Sequence, residues 1–372
     1  MKIAIYTGTF LRNKDGVAKT LFELAKTIKE KGHEIAIWSP EVTPLEGVIT
    51  TEMASIPVPM YSDYRFSIFK KELYSQLNQF APDIIQISTP DMVALKVVKY
   101  SRKRSIPVVS IFHTNFPSYL EYYRLHLFKK PFWKRLIKLY NKCDMVYAPT
   151  NEMKRQLLDK GVKRVSIWSR GIHRNLFNPR RRSDEIRAKW GVSNEQVLLY
   201  AGRFVWFKGL KILQEIYNKF KEEGEKKIKF VLIGSGPIES ELKDNMKDAV
   251  FPGYLSGDEL YNSYASGDIF IFPSPTETFG NVVQEAISSG LPSVVSDKGG
   301  CREIIEQSGA GIICKSDDSD EFYNACRKLL HDRTFFLKLR KKGLEWASTR
   351  TWDKINGQLL TDYQRIINAK KN

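Results

Sequence analysis

Two glutamates eight positions apart, Glu277 and Glu285, lie in the stretch ETFGNVVQEAISSG, and Arg203 and Lys208 lie upstream in YAGRFVWFKGL. Carboxylates accept hydrogen bonds from the hydroxyls of a polar ligand. A guanidinium and an ammonium side by side suit a diphosphate. Both groups sit where strands give way to helices. Ile269 to Phe272 is an apolar run that reads as a buried strand, followed by a Pro/Ser/Thr-rich loop and a helix from about Gly280 to Ser289. Gly290 stops that helix, Leu291 to Val295 form the next strand, and a second glycine loop (Gly299, Gly300) leads into another helix. Two strand–loop–helix joints in succession place both loops at the carboxyl ends of neighbouring parallel strands, the edge where doubly wound sheets bind ligands. The helix beginning near Gly280 offers free N–H groups and a positive dipole end to a phosphate.

Three further positions have the same setting. Gly234-Ser235-Gly236-Pro237 follows a strand and precedes a helix, as a tight joint requires. Gly16, in FLRNKDGVAKT, follows the first strand and opens the first helix, and a glycine there admits a ligand close to backbone N–H groups. His113, in SIFHTNFPSYLEYY, ends an apolar strand; a lone histidine in such a place is usually structural.

The elements that hold these residues form two α/β series. In the first, strands are expected at 3–7, 34–38, 84–87, 108–112, 145–148 and 165–168, with helices at 17–31, 66–79, 91–104, 131–142 and 151–160. The segment 174–190, with a proline and an arginine run, reads as the inter-domain connection. A second series of strands follows at 197–201, 230–233, 269–272, 293–295 and 311–313, and 334–346 and 352–369 read as helices. Alternating strands and helices imply parallel sheets, and 372 residues suffice for two domains with their own cores.

Charge separates the two series. Residues 1–180 hold 30 Lys/Arg against 15 Asp/Glu, a net +15, whereas residues 181–372 hold 29 against 27, a net +2. A polyanionic partner is expected for the first half, an anionic membrane or a nucleic acid, against the simpler reading of solubility alone. Within it, residues 119–142 interleave aromatics with six lysines and arginines from Lys129 to Lys142, and no acid occurs from Leu125 to Lys142. With Phe132, Trp133 and Leu136 on its apolar side, this segment is expected to lie in an anionic lipid interface. The bland alternative is an amphipathic helix whose apolar face packs on the core. No apolar run is long enough to span a bilayer, and MKIAIYTGTF reads as a first strand, which gives a cytoplasmic expectation. Four cysteines without C-x-x-C spacing read as reduced core thiols.

The E-x(7)-E arrangement, the G-R-…-K-G pattern and the H-T-N-F-P run, in that relative setting, resemble the retaining glycosyltransferases of family four, and the GDP-mannose-dependent mannosyltransferases and sulfoquinovosyltransferases among them. The resemblance implies the GT-B fold: two Rossmann-like domains facing each other across a cleft, with a C-terminal helix crossing back to the first. Its boundaries would be 1–175 for the acceptor-side domain, 176–351 for the donor-binding domain and 352–372 for the helix. It also implies roles. Arg203 and Lys208 would hold the donor pyrophosphate in place of a metal ion, Glu277 would orient the sugar hydroxyls, Glu285 would hold the ribose, and His113 would reach the sugar. Thr278, Phe279, Gly280 and Asn281 would bind the donor through the loop and helix start, Gly234 and Gly236 would lie near the base, and Gly16 would approach a phosphate or acceptor. Family members often carry two glycines where Asp15-Gly16 stands here, and Arg170-Gly171-Ile172-His173 replaces a motif that usually ends in an acid.

The expected reaction moves a hexose, first choice mannose from GDP-mannose, to a lipid or glycan acceptor at the inner face of the membrane, with no cofactor beyond the nucleotide-sugar. A UDP-sugar of the glucosyl or sulfoquinovosyl type is the alternative donor. Two other classes stand further off. A nicotinamide-dependent oxidoreductase lacks its G-x-G-x-x-G after the first strand, which reads TGTFLRNKDG. A nucleic-acid-binding protein has charge in its favour and no motif.

Overall fold

The computed structural model describes residues 1–371 apart from 13–14, 59–60, 116–125 and 226; the side chains of 58, 61–64, 126 and 128 also lie outside the described set. Phe116 and Pro117 of the H-T-N-F-P run and the 119–125 part of the basic segment therefore fall outside the described residues, as does Asn13. The chain divides into two compact units, one formed by Met1–Gly171 with Trp352–Asn372 and the other by Ile172–Thr351.

The first unit is built on a parallel sheet of β1 (Lys2–Tyr6), β2 (Glu34–Ser39), β3 (Ile49–Glu52), β6 (Ile84–Ile87), β7 (Val108–Ile111), β8 (Met145–Ala148) and β9 (Val165–Ile167). Their order is β3-β2-β1-β6-β7-β8-β9. Successive residues of a strand point to opposite faces, and β1 serves two cores accordingly. Ile3 and Ile5 pack with the helix Gly16–Glu30 and with Leu359, Leu360, Tyr363 and Ile367 of the C-terminal helix Trp352–Lys371. Ala4 and Tyr6 pack on the opposite face with side chains from the helices 72–80, 92–103, 126–140 and 151–159. Near-continuous apolar strands are what a sheet covered on both faces demands. The C-terminal helix is also tied by polar contacts. Asn356 donates to the Thr27 hydroxyl at 2.9 Å, Tyr363 donates to Gln86 at 2.6 Å, and Lys370 pairs with Asp144 at 2.7 Å.

Two local expectations change. Residues 66–71 are not helical: β5 (Tyr61–Ser67) pairs antiparallel with β4 (Ser55–Val58), and the helix begins only at Glu72. Ile56 stands opposite Phe66, so Phe66, expected to open the helix, is instead one side of a cross-strand pair. The helix His126–Tyr140 also corrects the lipid-facing reading of 119–142. Trp133, Leu136, Leu139 and Tyr140 are buried in the core beside Phe112, and Phe132 packs against that core. Its cations remain outside: Lys130, Lys134, Arg135 and Lys138 are exposed, and so is Leu127, at 89%. The apolar stripe belongs to the sheet, and only the basic face is left for a partner.

The second unit carries a parallel sheet of β10 (Gln196–Ala201), β11 (Ile228–Ile233), β12 (Val250–Gly253), β13 (Ile269–Phe272), β14 (Ser293–Ser296) and β15 (Gly311–Cys314), in the order β12-β11-β10-β13-β14-β15. Phe270, Ile271, Val294 and Val295 lie at its buried centre. The segment 174–190, expected as the connection, falls within this unit, which begins at Ile172. Arg181 pairs with Asp258 at 2.7 Å, Arg182 and Arg187 pair with Asp268, and Ser288 donates to the Phe177 carbonyl at 2.6 Å. Two of the three arginines in the run, Arg181 and Arg182, are thus held by acids of this unit. All four cysteines are free and buried.

Candidate active site

In the second unit β10 and β13 are neighbours, yet the chain leaves β10 towards β11 and β13 towards β14. Loops that diverge in this way open a crevice at the carboxyl ends of the two strands. Arg203 and Lys208 follow β10, and the segment from Glu277 to Asn281 follows β13. The fold thus brings both groups of expected residues to one switch point. Contact is direct: the Lys208 ammonium is hydrogen-bonded and ion-paired to Glu277 Oε1, with their side chains 15% and 21% exposed. Thr276 Oγ1 donates to the Phe207 carbonyl at 3.4 Å and joins the same two loops. Arg203 is exposed, with no ion-pair partner among the described residues, and its carbonyl accepts from the buried Tyr200 hydroxyl at 3.4 Å. Burial, and then the negative charge of Glu277, hold that phenol far above its ordinary range, so it stays a neutral donor.

Glycines let these loops meet backbone to backbone. Gly209 has φ +76, and a Cβ there would stand 2.3 Å from the Pro273 carbonyl oxygen. A Cβ on Gly234 (φ +140) would stand 1.9 Å from the Gly202 oxygen, and one on Gly236 would stand 2.3 Å from the Phe204 oxygen. Gly234 and Gly236 are accounted for by this close backbone joint between the loops after β10 and β11.

Gly280, at φ +106, starts the helix Asn281–Ser288 without a side-chain cap. A capless start leaves backbone N–H groups for an anion. Asn281 Oδ1 is buried with no hydrogen-bond partner among the described residues, a polar atom still waiting for one. The loop is held from behind by the Gly300 N–H, which donates to the Glu277 carbonyl at 2.7 Å. Thr278 is half-buried and Phe279 buried in that loop. Glu285 lies deeper than the other acid, buried on the helix, and hydrogen-bonds Tyr264. Burial, followed by the charge of Glu285, raises the Tyr264 phenol well above its usual range.

The remaining two expected residues belong to the first unit. Gly16 opens the helix 16–30, but the Asp15 carboxylate accepts from the Ala18 N–H at 2.8 Å and so takes one of the free donors at that end. An anion would have to share the terminus with this charge. His113 follows β7 and is buried, 7% exposed, with Nδ1 3.4 Å from Arg170 Nη2. Burial, and then the Arg170 charge, push the imidazole well below its ordinary value. Two residues not singled out in the sequence belong to the switch point of this sheet, between β1 and β6. The Tyr6 hydroxyl donates to Asp91, which also caps the helix 92–103 by accepting from the Ala94 N–H at 3.0 Å. The cap pattern of Asp91 before an apolar helix was the available signal; nothing local marks its pairing with Tyr6.

Among the described residues no group of three or more His, Cys, Asp or Glu is placed to hold a metal ion. No helix among them is long and apolar enough to cross a membrane.

Comparison with known proteins bears on the whole chain. Residues 14–176 match the family model described as Glycosyltransferase Family 4, and residues 195–332 match the one described as Glycosyl transferases group 1. The chain is 27% identical to a GDP-mannose-dependent alpha-mannosyltransferase of Corynebacterium glutamicum, over 99% of this chain and 89% of that protein. It is 32% identical to the sulfoquinovosyl transferase SQD2 of Arabidopsis thaliana, over 82% of this chain and 62% of that one. Sucrose-phosphate synthase from Thermosynechococcus elongatus has the same GT-B fold, with a TM-score of 0.81 over 99% of both chains at 16% identity. With one model on each unit, and relatives of this kind along its length, the chain belongs to the family four glycosyltransferases.

Proposed function

We propose that the protein is a retaining hexosyltransferase that takes its sugar from a nucleotide-sugar, first choice mannose from GDP-mannose, and passes it to a lipid or glycan acceptor at an anionic membrane surface. The observation that carries this reading is the Lys208–Glu277 pair at the β10/β13 switch point, beside the capless helix at Gly280. One partner suits a diphosphate and the other sugar hydroxyls, so a nucleotide-sugar would engage both together. The relative of Corynebacterium glutamicum, named for GDP-mannose and aligned over nearly the entire chain, supports the choice of donor.

In the proposed reaction Arg203 and Lys208 take up the charge that grows on the leaving diphosphate. Backbone N–H groups from Phe279 to Asn281 add hydrogen bonds to phosphate and sugar, and Thr278 lines the loop. Such preorganised donors act where charge develops and are worth ~3 kcal/mol each. Glu277 orients the sugar hydroxyls and Glu285 the ribose; Gly234 and Gly236 keep the loop beside the base free of side chains. The bond from the anomeric carbon to the diphosphate breaks, the acceptor hydroxyl bonds to that carbon from the same face, and the leaving phosphate oxygen accepts the hydroxyl proton. Attack on that face leaves the anomeric configuration unchanged, with no added metal in the scheme. His113 serves the sugar from the first unit, and Gly16 the acceptor side. The domain roles follow: acceptor side in the first unit, donor side in the second.

A UDP-sugar of the sulfoquinovosyl type is the second reading, favoured by the 32% identity to the plant enzyme. Thermal unfolding with GDP or UDP, without metal, separates the two. A nucleotide at about 100 times its dissociation constant adds ~2.7 kcal/mol of stability. Stabilisation by GDP alone supports the mannosyl donor, UDP alone replaces it, and no response to either removes the nucleotide-sugar reading.

A further inference from the structure

His113 and Arg170 meet inside the first unit in a way that fixes the chemistry of the imidazole. Arg170 is 4% exposed and anchored from the other side: its Nη1 donates to the Trp168 carbonyl at 2.8 Å and to the Ser169 carbonyl at 3.2 Å. Its guanidinium carbon stands 4.8 Å from the centre of the Trp168 ring, and that ring meets His113 edge-on at 6.0 Å. Trp168 is itself held, donating from Nε1 to Asn356 at 3.2 Å, and Asn356 donates onward to Thr27. The guanidinium therefore has little freedom to leave the ring. A guanidinium has donors and no acceptor. A nitrogen that receives its hydrogen bond must present a lone pair, so His113 Nδ1 carries no proton. The proton of a neutral imidazole then resides on Nε2.

We infer that Arg170 is a positioning residue that holds His113 as the neutral Nε2–H tautomer, so that His113 serves sugar transfer as a hydrogen-bond donor and not as a base. The inference rests on the proposed sugar contact of His113 for its functional half; its tautomer half stands on the Arg170 geometry alone. Arg170 is a charged group that acts on the ring, and the Trp168 edge packs against it. Both burial and this cation oppose a second proton on the imidazole. The Arg170-Gly171 pair is thereby given a purpose beyond turning the chain: a Cβ on Gly171 would stand 2.5 Å from the Trp352 backbone, which keeps the segment that carries Arg170 close against the C-terminal helix.

The test has two arms. The first is nitrogen-15 NMR of histidine-labelled protein, where His113 is one of five histidines and is assigned by its loss in His113→Gln. The expected signal is that of an Nε2–H imidazole that stays neutral from about pH 5.5 to 8.5. A proton on Nδ1, or titration near the ordinary value, overturns the inference whatever the enzyme's substrate. In Arg170→Leu, which has no donor, the Nδ1–H form should appear beside the Nε2–H form, and Arg170→Lys should restore the single tautomer; an unchanged Nε2–H tautomer in Arg170→Leu overturns the role of Arg170. The second arm is transfer. A glutamine amide can donate from the position of Nε2 and cannot act as a base at neutral pH. His113→Gln should keep kcat/KM within about tenfold of the parent, whereas His113→Ala should lose about 100-fold. Equal loss in both variants, at unchanged stability, overturns the donor role. Full activity of His113→Ala with the expected tautomer removes the sugar contact and leaves the tautomer standing.

Discussion

Lys208 and Glu277 neutralise each other across the switch point, and each must also serve a ligand. Removing either leaves the other charged and mostly out of water, which costs stability as well as function. Glu277→Gln and Lys208→Ala are each expected to lose about 1–3 kcal/mol of stability and nearly all transfer activity. The double variant should regain much of the stability, because no lone charge remains, and none of the activity. Chemical denaturation alongside a transfer assay checks this; full activity of either single variant would remove the pair from the mechanism. The histidine makes its own prediction at this scale. Its folded-state pKa is depressed by burial, so below the unfolded value near 6.5 the unfolded chain binds a proton that the folded chain refuses. Stability should fall with pH from there, by up to ~1.4 kcal/mol per pH unit for each such group. His33 is shifted in the same direction, so the contribution of His113 is the part of the slope that disappears in His113→Gln.

At the scale of elements, periodicity and glycine placement made most of the fold legible. The strand Ile269–Phe272 and the glycine-stopped helix after it need no distant partner to be recognised. The short pieces β3 and β4 are a different matter, since four-residue strands whose described side chains are partly or largely exposed carry little pattern. Contacts between residues far apart in sequence were equally invisible, among them Tyr264 on Glu285 and Arg170 beside His113. The helix 126–140 teaches most. Its sequence fits a lipid interface and a core-facing amphipathic helix equally well, and only the packing of Trp133 on Phe112 and its neighbours decides. Two variants separate its faces. Trp133→Ala should cost about 3–5 kcal/mol through the cavity it leaves. Reversing Lys134, Arg135 and Lys138 to glutamate should leave the melting temperature nearly unchanged, yet weaken binding to phosphatidylglycerol vesicles, the contact being electrostatic. Unaltered vesicle binding by the triple variant, in low salt, would take the membrane role away from this face.

For the molecule as a whole, the two units differ in charge and in core, and they share a chain that enters the second unit at Ile172 and leaves it at Thr351. The last 21 residues, though last in sequence, complete the first core: Leu359, Leu360, Tyr363 and Ile367 pack with Ile3, Ile5 and the helix 16–30. Their loss should therefore be felt at the opposite end of the sequence. Ending the chain at Thr351 would expose that face of the sheet and leave Gln86 and Thr27 without Tyr363 and Asn356. Hydrogen exchange on the shortened protein is expected to show lost protection in β1, β6 and the helix 16–30, while β10, β13 and the helix 281–288 remain protected. The second unit keeps its own core, including Phe270, Val283 and Val294. Because the proposed donor residues from Arg203 to Glu285 all lie in that unit, the nucleotide that stabilises the intact protein should still slow exchange there. Transfer should nonetheless be lost, since the first unit carries the acceptor side in the proposed scheme. Loss of protection in the second unit on truncation would mean that the two cores are energetically one, and loss of nucleotide protection alone would place part of the donor site outside the residues named.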